Sequence, residues 1–113
     1  MILLLLAASS VDIAMNHCIA TTKAAAPPSM VAADCAAAEY KRRDHELNET
    51  YRAKLAVLPE ARRALLRDQQ RRWVAARDRP CRYELDDEVA DMKQNLCLAK
   101  ATETRTMTIS QFR

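Results

Sequence analysis

The chain has 113 residues, a formal net charge of +3 and no glycine. That length supports one domain with a modest core, and the missing glycine excludes Gly-rich phosphate loops and disfavours tight hairpin turns. So small a net charge makes no case for nucleic acid by itself.

Residues 1–14 read as a signal peptide or apolar leader. Ile2 to Leu6 form an apolar run, and Ala7 to Ser10 are small residues of the kind found at a cleavage zone. Cleavage after Ser10, with Ala8 at −3, is as good a choice as any other. No Lys or Arg precedes the run, and it is too short to span a membrane, so no stable membrane insertion is expected once the leader is gone. A frayed apolar tail on a cytosolic protein is the competing reading. Residues 15–29 read as a linker that holds the first cysteine, Cys18, and ends on Pro27-Pro28.

Residues 30–113 read as an all-α domain. A helix capped by Ser29 is expected from Met30 to Leu58, since nothing inside that stretch breaks it. Pro59 suits the first turn of a second helix, where its missing N–H is not needed, and Pro80 ends that helix. Residues 81–88 form a connector. A third helix runs from about Asp87, with Val89, Met92, Leu96, Ala99 and Met107 expected inward and the last few residues frayed. The predicted architecture is a small antiparallel helical hairpin plus a third helix, close to a three-helix bundle.

The inward stripes carry polar residues where a helix face is normally apolar. On the first helix the steps of three and four run through Tyr40, Asp44, Leu47, Asn48, Tyr51, Leu55 and Leu58. On the second they run through Leu65, Leu66, Gln69, Trp73, Ala76 and Arg77, with Asp78 next in line. A tight turn at Leu58–Pro59 would set residues with numbers summing to about 117 opposite each other. That predicts Asp44 near Trp73 and Arg77, and Asn48 near Gln69. The predicted network is Asp44, Asn48, Tyr51, Gln69, Trp73, Arg77 and Asp78. It reads as structural, because interior hydrogen bonds fix register and unpaired buried groups cost ~1–3 kcal/mol each.

Four cysteines, Cys18, Cys35, Cys81 and Cys97, read as two disulfides if the chain is exported. Zinc is disfavoured because they are far apart and form no C-x-x-C pair. Three pairings are possible. The hairpin geometry would set Cys35 opposite Cys81, leaving Cys18 with Cys97.

No catalytic constellation emerges. His17 falls in the expected linker and His45 beside the network, with no Ser or reduced Cys placed as a nucleophile, and no cofactor or metal is expected. Residues 60–79 hold seven Arg against Glu60, Asp68 and Asp78; residues 82–91 hold Glu84, Asp86, Asp87, Glu88 and Asp91 against Arg82. The Arg face lacks interleaved aromatics, which counts against nucleic acid. The acidic stretch could meet a basic protein partner, although acids at a helix start are favourable in any case.

Taken in order, Cys18, Cys35-x4-Tyr40-x3-Asp44-x-x-Leu47-Asn48-x-x-Tyr51, Leu65-x3-Gln69-x3-Trp73-x3-Arg77-Asp78-x-x-Cys81, Cys97 and Thr102-x-x-Arg105 resemble the lysozyme-inhibitor LprI-like N-terminal domain family. The resemblance spans about residues 15–109. It implies a helical, disulfide-linked bacterial envelope protein, periplasmic or secreted, with a binding role and a protein partner such as a lysozyme. An envelope interaction or structural accessory module with a different partner is the alternative. It also implies the pairing Cys81–Cys97, leaving Cys18–Cys35; the rival pairing Cys35–Cys81 with Cys18–Cys97 stays open at this point. Glu84, Asp86, Asp87, Glu88 and Asp91 are the candidate partner-binding residues. Relatives often carry a Gly-Gly-Ser type loop in this connector, whereas here it is acidic and has no glycine.

Overall fold

Four α-helices and one 3₁₀ turn make up the computed structural model, which describes residues 9–23, 25–84 and 87–113. The apolar run of the expected leader, within residues 1–8, and the candidate Asp86 lie outside the described residues. Helix α1 spans Ser10–Thr21, α2 Pro28–Val57, α3 Glu60–Arg77 and α4 Glu88–Gln111; the 3₁₀ turn is Arg79–Cys81.

The punctuation follows local chemistry. Pro28 occupies the first turn of α2, where no N–H is required. Leu58 is extended (φ −84°, ψ 146°) because Pro59 follows it, and the Pro59 carbonyl then receives the N–H groups of Arg62 and Arg63. Pro80 sits in the 3₁₀ turn that closes α3. Asp87 caps α4 by accepting from the Ala90 N–H at 2.8 Å.

The linker expected at residues 15–29 is corrected over its first half: α1 continues to Thr21. Ser9 caps it, accepting from the Asp12 N–H at 3.1 Å. Val11 (0% exposed) and Met15 (5%) enter a cluster with Cys35, Ala36 and Ala99. The residue types that resemble a leader and linker are, from Val11 onward, one apolar helical face.

The expected hairpin is corrected as well. The closest helix pair is α2 with α4, and the two run parallel. Ser29 meets Glu88, Arg43 faces Glu103, and Lys54 reaches the Ser110 carbonyl, so the numbers rise together along both helices. Fully buried Ala36 and Ala99 lie where α1, α2 and α4 meet; side chains this small let backbones approach. Helix α1 runs antiparallel to both, with Asp12 on Lys100 and Cys18 bonded to Cys35. Helix α3 runs back along the other side. Arg77 meets Asp44, Gln70 meets Arg105, and Arg62 reaches the Arg113 carbonyl.

A second cluster forms where α2, α3 and α4 converge. Leu47, Leu66 and Ile109 are each at most 1% exposed, and Tyr51, Leu55, Leu58, Trp73 and Phe112 pack around them. The α4 stripe is therefore only partly the expected one: Ala99 is buried and Met92 and Leu96 pack against the first cluster as foreseen. Ala90, Leu98, Ala99, Thr102 and Ile109 are buried, while Val89 (47%) and Met107 (57%) are exposed. The C-terminal turns are ordered as helix through Gln111, anchored by Ile109.

The disulfides join Cys18 to Cys35 and Cys81 to Cys97. The rival pairing required α2 and α3 to face each other closely at Cys35, and α1 and α4 occupy that face instead. Each bridge closes a loop of similar length, 17 and 16 residues apart, a span for which the stabilisation is about 3 kcal/mol.

Residue 9 therefore marks the earliest described part of the folded unit. A chain beginning at Ser9 retains the α1 cap and the buried Val11 and Met15. One beginning at Met15 loses the Ser9 cap and Val11, about 3 kcal/mol in all, and should melt at least ~10 °C lower by circular dichroism. Equal melting of the two chains would refute the role given to α1.

Candidate functional site

Two regions concentrate polar and ionisable groups: the interior between α2, α3 and α4, and the connector before α4.

In the interior, the buried stripe of α2 is Cys35, Ala36, Glu39, Arg43 and Leu47, one residue ahead of the expected polar stripe. Glu39 is 6% exposed and Arg43 is 9%. The Arg43 Nε donates to Glu39 Oε1 at 2.7 Å, and Arg42 donates to the same carboxylate at 2.8 Å from the outer side. Glu46 at 3.4 Å and Glu103 at 4.0 Å complete the ring around Arg43, and Ser10 of α1 donates to Glu103. Burial alone would push the Arg43 guanidinium down, but the Glu39 hydrogen bond and the charges of Glu39, Glu103 and Glu46 outweigh it and hold it above its ordinary value.

The expected α2–α3 network survives only at its outer end. Arg77 donates to Asp44 at 3.3 Å and to Asp78 at 3.2 Å, and lies over the rings of Tyr40 (5.4 Å) and Trp73 (5.3 Å). Asp44 keeps a 41% exposed side chain and Asp78 is 57% exposed, so these are rim contacts. The expected Asn48–Gln69 pair is corrected. Asn48 is exposed, and the buried amide is Gln70, which accepts from Arg105 Nε at 2.8 Å. The pairing rule failed because it assumed a close α2–α3 hairpin, whereas α4 lies against α2 and takes the polar partners. Tyr51 contributes packing beside Leu47 and Leu66.

Glu39, Arg43, Gln70, Thr102, Glu103 and Arg105 were missed as members of this interior. The signal for two of them was present, since steps of four from Cys35 through Glu39 and Arg43 end on Leu47. A Glu and Arg at i, i+4 are ordinarily a solvated pair, and only the approach of α1 and α4 buries them.

The connector is held at both ends. Cys81, 1% exposed, is bonded to Cys97 in α4, and Asp87 caps α4. Glu88 accepts from Ser29 at 2.7 Å, tying the N-termini of the parallel pair together. Asp87 and Glu88 thus have structural work, while Glu84 and Asp91 are exposed and make no side-chain hydrogen bond among the described residues. A cavity of about 360 Å³ opens here between Arg82, Tyr83, Glu84, Asp87, Val89 and Lys93, with Tyr83 46% exposed.

Among the described residues no three His, Cys, Asp or Glu stand together as a metal site, and no helix is long and apolar enough to cross a membrane. His17 and His45 are on the surface, the latter against Glu49 at 3.1 Å.

These features define a small, all-helical, twice-disulfide-bonded domain with an ionic interior and a stapled acidic connector. A family model described as "Lysozyme inhibitor LprI" matches residues 7–108, nearly the whole chain, and the protein belongs to that family. No curated protein and no solved structure matches the chain.

Two outcomes follow from the interior. Arg43→Met should destabilise by about 2–3 kcal/mol, because Glu39 stays buried with only Arg42 beside it. The double variant Glu39→Leu/Arg43→Met should recover most of that loss in chemical denaturation; no recovery would mean the two residues are not coupled. Burial raises the Tyr40 phenol above its ordinary value, with Arg77 opposing and Asp44 and Asp78 adding to the rise. The unfolded chain then loses this proton before the folded chain does. Stability from Tyr40 is complete below about pH 10 and falls as pH rises through the folded value. Tyr40→Phe should flatten that alkaline decline.

Proposed function

We propose that this domain is an exported, non-catalytic binding protein that inhibits a lysozyme-type muramidase, and that the connector around Glu84 and Asp91 is its docking edge. The family match carries this reading. The two disulfides fit an oxidising compartment outside the cytoplasm.

The connector supports the docking role in three ways. It presents acidic side chains that the fold does not consume, Glu84 and Asp91, and these complement a basic enzyme surface. It carries an exposed aromatic, Tyr83, beside a cavity, the kind of residue enriched in binding hot spots. It is anchored by Cys81–Cys97, which lowers the ordering cost on binding. Docked at a cleft, such an edge inhibits by covering it, with no chemistry required from this chain.

Turbidity assays of cell-wall lysis with the purified disulfide-bonded protein test the reading against c-type, g-type and i-type lysozymes. Slowed lysis by at least one type at about micromolar protein is expected. Glu84→Lys/Asp91→Lys should raise the half-inhibitory concentration about tenfold, equivalent to 1.4 kcal/mol, mostly through slower association and with strong salt dependence. Lysis unaffected by the native protein with all three types would overturn it.

A further inference from the structure

We propose that the groove between Trp73 on α3 and Arg105 on α4 is a binding site for a carboxylate carried on a short apolar stem. The groove, about 430 Å³, is lined by Trp73, Lys100, Ala101, Thr104, Arg105 and Thr108. It lies apart from the connector and does not depend on the lysozyme reading.

The argument starts from charge. Arg43 and Arg77, the other well-covered arginines, have carboxylate partners. Arg105 has none among the described residues. Its Nε donates to the neutral Gln70 amide at 2.8 Å, its plane lies 5.8 Å from the Trp73 ring, and its Nη2 is buried without a hydrogen-bond partner. The nearby acids are committed elsewhere: Glu103 faces Arg43 and Ser10, and Asp12 pairs with Lys100 at 3.1 Å. A partly buried guanidinium with no counter-charge is costly to keep. Burial lowers its proton affinity, with no carboxylate to offset the effect. Nη2 is closed to solvent, so an incoming anion would meet the guanidinium at Nη1 and supply the counter-charge that the fold leaves out.

The lining selects the anion. One uncompensated cation matches one negative charge, which a carboxylate carries at neutral pH; a phosphate monoester brings closer to two. With Nε on Gln70 and Nη2 enclosed, the guanidinium offers the anion its charge and the Nη1 donors, which one carboxylate oxygen can accept. Of the rest of the wall, Lys100 already has a carboxylate in Asp12. Thr104 and Thr108 give their hydroxyl protons to the carbonyls of Lys100 and Thr104, leaving their methyls, Ala101 and the indole edge to meet an apolar stem. A free aliphatic acid and a glutamate side chain of a partner chain share this chemistry.

Trp73 is the only tryptophan, so its fluorescence reports on the groove directly. The native disulfide-bonded protein is titrated with hexanoate, with hexanamide as the uncharged match, and with an acetylated, amidated Leu-Glu-Leu peptide. Hexanoate should give a saturable change with a dissociation constant of about 1 mM, as expected for so small a ligand, and hexanamide should bind at least ~10-fold more weakly. Saturation by the peptide at similar or lower concentration would assign the site to a protein carboxylate; saturation by hexanoate alone would assign it to a free acid. Arg105→Gln should weaken hexanoate at least ~10-fold. Ala101→Leu, which fills the groove without touching the guanidinium, should abolish the change while the helical circular dichroism is retained. Equal response to hexanoate and hexanamide, no saturable response, or undiminished binding in Ala101→Leu would overturn the proposal.

Discussion

The parallel pairing of α2 and α4 is the constraint from which the rest of this molecule follows. Parallel neighbours cannot be joined by a short turn, because the chain leaves one helix at the end opposite to where the next begins. Helix α3, 18 residues and so about 27 Å long, is the return path. It starts at the Pro59 corner and delivers the chain to the Cys81 turn beside the start of α4. Because α3 is a connection as well as a packing element, it meets the pair through long side chains. Trp73, Arg77 and Leu66 reach across where close backbone contact is lacking. Alanine-rich stretches do the opposite between α1, α2 and α4, where Ala36 and Ala99 let three helices converge.

This geometry explains which parts of the fold could be foreseen. The break at Leu58–Pro59, the stop at Pro80, the Asp87 cap and the unbroken length of α2 are local properties, written in proline chemistry and capping residues. The family resemblance rested on residues that hold the scaffold, such as Cys35, Leu47, Trp73 and Cys97. Helix pairing is not local. The short link at Leu58–Pro59 favours an antiparallel hairpin, and nothing in the spacing of Asn48 or Gln69 reveals that α4 will occupy the better face of α2. Choosing α3 as the partner rotated the inferred polar stripe by one position, placing Tyr40, Asp44 and Asn48 where Glu39, Arg43 and Leu47 are buried. The same choice made Gln69 the interior amide in place of Gln70. Helix α1 was hidden for another reason. Val11, Met15 and Ile19 follow directly on an apolar leader-like run, and composition alone does not separate the end of one from the start of the other.

The interior charges show how the fold manages arginine. Arg43 is buried deepest and has three carboxylates on two helices around it. Arg77 sits at the rim, sharing Asp44 and Asp78 with two aromatic faces. Arg105 has a neutral amide and one aromatic ring. The three form a gradient from full to incomplete compensation on passing from the α1 side of the molecule to the α3–α4 groove. The well-compensated end ties α1 to the parallel pair through Ser10 and Glu103. A stabilising role is sufficient to account for it. The incompletely compensated end satisfies the buried Gln70 amide but has no carboxylate of its own among the described residues, which is why it directs attention to a ligand.

The acidic connector obeys a similar division between groups that hold the fold and groups that do not. Asp87 and Glu88 are spent on the cap and on Ser29, so their acidity would be explained in a protein with no partner at all. Glu84 has no such excuse: it precedes the cap and is exposed. Asp91 sits in the first turn of α4, where the helix dipole rewards an acid, but only by a few tenths of a kcal/mol at an exposed position. The Cys81–Cys97 bond fixes where this edge stands relative to α4. A docking surface needs that kind of fixed frame more than it needs any particular charge, since ordering a slack loop on binding would consume much of what a few exposed ion pairs return. The disulfide therefore matters twice, once as cross-link for a small core and once as the frame that would let a short acidic segment act as a recognition element.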